Sequence, residues 1–184
     1  MLKELPNLIS VARLLLVAPV VLSVLSESYG VALVLFIVAG ASDALDGYLA
    51  KRFHWESRLG TILDPVADKA LLMSVYLTLG WQGHVPVWLV AAVILRDVVI
   101  FFGALAFHFL IGRYDMAPSI LSKVNTVVQI AFGFLVLAVL AIDANWAALM
   151  LPMSLVVLAT TLLSGADYVW TWGRRAWRER HDAR

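Results

Sequence analysis

SDALDGYLAKRFHWESRLGTILDPVADKA, residues 42–70, sets four aspartates between two apolar stretches, VALVLFIVAG at 31–40 and LLMSVYLTLG at 71–80. Both flanks have the character of helices that cross hydrocarbon, so the carboxylates fall where one membrane helix ends and the next begins. Ionisable groups in such positions are costly and mark function more often than structure.

The whole chain fits that setting. Of its 184 residues 62% are hydrophobic and 15% charged, against about 25% charged in an ordinary soluble domain. A formal net charge of +1 identifies no partner, and no nucleic-acid ligand is expected. With no cysteine, disulfide and thiolate chemistry are excluded. The opening MLKELPNLISVARLLLVAPVVLSVLS has the outline of a signal peptide. Its acidic head, its arginine within the apolar run and the apolar segments behind it predict a retained first span instead.

Six apolar segments are long enough to cross a bilayer: about 8–26, 30–51, 60–80, 86–110, 121–141 and 146–170. They are separated by SESYG at 26–30, the basic turn KRFHWESR at 51–58, WQGHVP at 81–86, IGRYDMAPS at 111–119 and DANW at 143–146. Trp81, Trp88 and Trp146 near span ends suit the interface with headgroups. The expected fold is therefore an all-α, six-helix membrane bundle forming one domain over 1–184, followed by a basic tail at 171–184.

Charge asymmetry orients the bundle. The connections at 24–30, 81–86 and 142–146 carry no lysine or arginine, while Lys3, Lys51, Arg52, Arg58, Arg113 and the arginines of the tail gather on the other side. Both termini and the aspartates are thus expected in the cytoplasm. The tail WTWGRRAWRERHDAR also has the composition to touch anionic headgroups, or simply to anchor the topology.

Asp43 and Asp46 are three residues apart, Asp64 and Asp68 four apart, so each pair shares a helix face. Carboxylates crowded together repel unless cations lie among them. An oxygen-only donor set suits hard ions such as Mg²⁺ or Mn²⁺, and two of these would neutralise a diphosphate in a phosphoryl-type transfer. Gly47 and Gly60 would let a bulky ligand approach the backbone. The blander readings are salt bridges from the aspartates to Lys51, Arg52, Arg58 or Lys69, and glycines serving only close helix contacts.

The stretch resembles the signature of the CDP-alcohol phosphatidyltransferases, D-x-x-D-G-x-x-A-R, eight residues, then G-x-x-x-D-x-x-x-D. Asp43, Asp46, Gly47, Ala50, Gly60, Asp64 and Asp68 match in register. Lys51 replaces the usual arginine; it keeps the charge but loses the bidentate fork, a contact that Arg52 is placed to take over. The resemblance implies a polar cavity open to the cytoplasm and a homodimer in the bacterial inner membrane. It further implies two divalent ions held by Asp43, Asp46, Asp64 and Asp68 around the CDP diphosphate, with Gly47, Ala50 and Gly60 on the nucleotide side. Asp68 would be the general base that frees the acceptor hydroxyl to attack the β-phosphorus and release CMP.

Outside the signature, PNLISVARLLL at 6–16 resembles the opening of the phosphatidylglycerolphosphate synthase and cardiolipin synthase branches, in which Asn7 and Arg13 would lie near the site. Arg96 and Lys123, with Arg113 in the connection between them, would offer cations to an anionic acceptor. The Arg96-Asp97 pair and P-S-x-x-S-K-V-N-T at 118–126 resemble the cardiolipin synthases that join CDP-diacylglycerol to phosphatidylglycerol. Glycerol 3-phosphate is the alternative acceptor. Arg96 could instead pair with an acid: Asp97 is a poor sole partner because adjacent helix residues diverge. Lys123 could be a snorkelling interfacial lysine or pair with Asp115. Two other classes retain the bundle, a small transporter and an inactive CDP-lipid-binding scaffold.

Overall fold

A computed structural model describes residues 5–53, 60–110 and 119–182, with side chains described at 8–42, 45, 52, 66–105 and 119–174. The described residues form six helices: α1 (Leu5–Leu25), α2 (Tyr29–Phe53), α3 (Gly60–Trp81), α4 (Val87–Leu110), α5 (Ile120–Ala141) and α6 (Ala147–Asp182). Each expected span coincides with one helix to within three residues at either end, except at the end of α6. There the helix runs on through the basic tail to a length of 36 residues, or about 54 Å at the α-helical rise. Arg174 lies over the Trp170 ring, 4.2 Å from its centroid, on this extension.

Among the described residues, four helices contain segments long and apolar enough to cross a membrane: Leu8–Leu25, Val87–Leu105, Ile120–Ala141 and Ala147–Arg174. The chain is an integral, multi-pass membrane protein. Among the described residues of α2 the apolar segment, Tyr29–Ser42, is shorter, and no such segment falls within those of α3.

Turn chemistry explains why the helices stop where they do. α1, α3 and α5 all end with a residue in the left-handed region and two backward hydrogen bonds that satisfy otherwise orphaned carbonyls. At α3 this residue is Gly83 (φ 79°); its N–H donates to the Gly80 carbonyl at 3.1 Å and the His84 N–H to that of Leu79 at 2.9 Å. Glu27 (φ 58°) and Asp143 (φ 50°) take the same place after α1 and α5, although each carries a Cβ that the conformation disfavours. At the start of α5 the Ser119 hydroxyl caps the helix, accepting from the Ser122 N–H at 3.2 Å.

Contacts divide the chain into two compact units, one of Met1–Val85 with Gly133–Trp146, the other of Pro86–Phe132 with Ala147–Arg184. In the first, α1 packs against α2 and α3 around Val20, Val24, Phe36, Val75, Tyr76 and Leu79, all buried. Its turns are joined: the Gln82 side-chain amide donates to the Val24 carbonyl at 2.9 Å, and the Tyr29 hydroxyl and His84 Nε2 are hydrogen-bonded at 2.8 Å. In the second unit α4 packs against α6. Beside Leu89, Val93 and Val157 its buried residues include Arg96, Asp97, Asn125, Gln129, Thr161 and Ser164. Polar groups inside hydrocarbon persist when they bond one another across helices.

Candidate functional site

In the first unit, the geometry centres on Asp68. The 3.6-residue period of α3 puts Asp68 one turn before Leu72, which is buried, and one residue after buried Ala67. Asp68 thus lies at the edge of the packed face, with 46% of its side chain exposed. Arg13, in the third turn of α1, is fully buried and donates from Nη1 to Asp68 Oδ1. A buried guanidinium requires a counter-charge, and Asp68 provides one. Arg13 thus holds the carboxylate while part of the Asp68 side chain stays exposed.

Asp43, Asp46, Gly47, Ala50 and Lys51 belong to the second half of α2, and Gly60 and Asp64 to the first turns of α3; their side chains lie outside the described residues. The Asn7 side chain, on the first turn of α1, does too. Arg52 is exposed on the last turn of α2. Among the described residues no three acidic or histidine side chains come together; of the expected metal set, only Asp68 falls within that group. The donor chemistry, carboxylate oxygens alone, fits a hard divalent ion.

The second unit holds Arg96. Its Nη1 donates to Asp97 Oδ1 at 2.7 Å, so the adjacent acid does reach it: the long arginine side chain curls back where the two Cβ vectors diverge. Asp97 is not the sole partner. Nη2 donates to Ser122 Oγ of α5 at 2.6 Å and to Ser164 Oγ of α6 at 2.5 Å. One guanidinium thereby joins three helices, with 6% of Arg96 exposed. One turn further along α5 and one turn back along α6, the Thr161 hydroxyl donates to Asn125 Oδ1 at 3.0 Å and the Gln129 amide to Thr161 Oγ1 at 3.3 Å. Lys123, between Ser122 and Val124 on α5, is exposed. Arg113 and Asp115 lie outside the described residues.

Ser164 and Thr161 carry no signal in the sequence, and Ser122 enters only as the second serine of P-S-x-x-S-K-V-N-T, with no role attached. Serine and threonine are common in membrane helices, and only the packing of α4 against α6 shows which hydroxyls meet a charge. A shallow apolar recess of about 540 Å³ lies on α6 between Ala166, Val169, Trp170, Gly173 and Arg174, and it contains none of the expected site residues.

Residues 3–163 match the CDP-alcohol phosphatidyltransferase family, and the chain belongs to it. It is similar to a cardiolipin synthase (CMP-forming)/mitochondrial hydrolase fusion protein of Schizosaccharomyces pombe, 32% identical over 181 residues, covering 89% of this chain and 30% of that protein. The cardiolipin synthase (CMP-forming) of Rattus norvegicus is 33% identical over 141 residues, 68% of this chain and 47% of the relative. That of Streptomyces coelicolor is 36% identical over 101 residues, 52% and 47% of the two chains. The matched region spans about a third to a half of the length of these relatives.

Proposed function

We propose that this family member transfers the phosphatidyl group of CDP-diacylglycerol to a hydroxyl of phosphatidylglycerol, forming cardiolipin and CMP. The observation that carries this reading is the aspartate signature, with Asp43, Asp46, Gly47, Ala50, Gly60, Asp64 and Asp68 in register. The names of the relatives and the Arg96-Asp97 and P-S-x-x-S-K-V-N-T details favour phosphatidylglycerol over glycerol 3-phosphate as acceptor.

Asp68 acts as general base. Arg13 holds Oδ1, which fixes the carboxylate plane and leaves the exposed part of the side chain for the acceptor hydroxyl. As the acceptor oxygen bonds to the β-phosphorus, its proton passes to Asp68. The bond from that phosphorus to the bridging oxygen breaks, and CMP departs with the electron pair. Asp43, Asp46, Asp64 and Asp68 would hold two Mg²⁺ or Mn²⁺ ions, whose charge, when bound, offsets that of the diphosphate. Gly47, Ala50 and Gly60, with Lys51 or Arg52, would receive the CDP moiety, and Asn7 would lie nearby. Arg96, Arg113 and Lys123 would meet the acceptor phosphate.

The proposal also takes all six helices as spans, with a polar cavity open to the cytoplasm, both termini on that side of a bacterial inner membrane, and a homodimer as the assembly. It is tested with detergent-purified protein given CDP-diacylglycerol and Mg²⁺ or Mn²⁺, with phosphatidylglycerol and glycerol 3-phosphate offered separately. Cardiolipin is the expected product. Phosphatidylglycerolphosphate instead would move the chain to the other acceptor branch. No CMP release with either acceptor would point to a transporter or an inactive lipid-binding protein.

A further inference from the structure

A guanidinium has five N–H donors in one plane. Three of those of Arg96 are taken, one by Asp97, one by Ser122 and one by Ser164. Nε–H has no partner among the described residues although it is buried, and one Nη1–H also remains. A buried donor without an acceptor is costly, and such a group calls for an explanation beyond packing. If charge neutralisation were the whole purpose, Asp97 alone would supply it. The two serines come from different helices and both bond Nη2, so together they fix the rotation of the guanidinium plane and determine where the two remaining N–H groups point.

We propose that Ser122 and Ser164 are positioning residues, holding the Arg96 guanidinium so that its unfilled N–H groups meet an oxygen of the acceptor's phosphate. The inference rests on the reading of Arg96 as an acceptor-site cation. Arginine suits the role because its donors are rigidly disposed once the plane is set. Asp97 balances the charge while the acceptor is absent. Neither serine touches the reacting atoms, so removing a hydroxyl should loosen acceptor binding and leave the CDP-lipid side untouched.

The test is steady-state kinetics of Ser122→Ala, Ser164→Ala and Ser122→Thr, with phosphatidylglycerol and CDP-diacylglycerol varied in turn and melting temperatures measured alongside. Each alanine variant should raise the KM for phosphatidylglycerol about tenfold or more, as expected for a lost hydrogen bond to a charged group. The KM for CDP-diacylglycerol and kcat should stay within about twofold of the unsubstituted protein. Ser122→Thr, which keeps the hydroxyl at the less enclosed position, should restore the acceptor KM. An unchanged acceptor KM in both alanine variants would overturn the proposal while leaving the proposed function intact. So would a fall in melting temperature with all kinetic constants shifting together, which would make the serines packing groups only. If the unsubstituted protein shows no CMP release that depends on phosphatidylglycerol, the acceptor reading falls and the positioning proposal with it.

Discussion

Arg13 of α1 and Asp68 of α3 lie 55 positions apart and form an ion pair in which the guanidinium is buried and the carboxylate half-open. The pair ties the opening helix of the chain to the last aspartate of the family signature. One residue thereby has two duties: Asp68 neutralises a buried charge and keeps part of its carboxylate accessible.

The two duties separate on substitution. Arg13→Gln should leave Asp68 charged but unanchored, lowering kcat about tenfold or more, the scale of a charge-assisted hydrogen bond. Arg13→Lys, which keeps the charge and a donor, should recover part of that loss. A stability double-mutant cycle between Arg13→Gln and Asp68→Asn should give a coupling of about 1 kcal/mol, reduced from the buried-pair range because Asp68 is half-exposed. Equal kcat for Arg13→Gln and the unsubstituted protein would remove Arg13 from the account.

At the α4–α6 contact, a Cβ on Gly103 would come 2.9 Å from Tyr168 Cε1 and 3.1 Å from its hydroxyl. Gly103→Ala should therefore destabilise the fold by about 1–3 kcal/mol through overpacking. Adding Tyr168→Leu should recover much of the loss, as measured by thermal unfolding in detergent. A Gly103→Ala protein as stable as the parent would mean that the ring moves aside freely.

Glu27 and Asp143 hold left-handed caps that Gly83 fills without strain. Glu27→Gly and Asp143→Gly should each leave the protein unchanged or stabilise it by up to about 1 kcal/mol, relief of the Cβ clash being partly offset by greater freedom of the unfolded chain. A large destabilisation in either would show that the side chain, and not the backbone turn, holds the connection.

Chelation should stop CMP release, and Mg²⁺ or Mn²⁺ added back should restore it, because the proposed site, with Asp43, Asp46, Asp64 and Asp68 around a diphosphate, would need cations to offset the charge. Undiminished turnover in excess chelator would contradict the metal reading.

Helix positions were legible in the sequence because each apolar run is bounded by turn residues, and the aspartates were legible because their spacing survives intact within one short stretch. The left-handed caps at Glu27 and Asp143 were not, since glutamate rarely adopts that conformation and aspartate, though it does so more readily, is equally common in ordinary turns. Nor were the partners of Arg96: Ser122 and Ser164 stand 26 and 68 positions from it. Which of many membrane-helix serines faces a charge depends on how each helix is rotated about its axis, and helices apolar on most sides encode that weakly. The continuation of α6 past residue 170 was missed for a related reason. A run of arginines and tryptophans reads equally well as a solvated tail or as more helix.

The most direct test of the central claim follows both products of one reaction, CMP and cardiolipin, from labelled CDP-diacylglycerol and phosphatidylglycerol, comparing the unsubstituted protein with Asp68→Asn. The account predicts equimolar CMP and cardiolipin from the former. From the latter it predicts a loss of about a hundredfold or more, with the fold retained at lowered stability, because the asparagine oxygen still accepts from Arg13 but no longer balances its charge. Undiminished cardiolipin from Asp68→Asn, or CMP released without any phospholipid product, would contradict it.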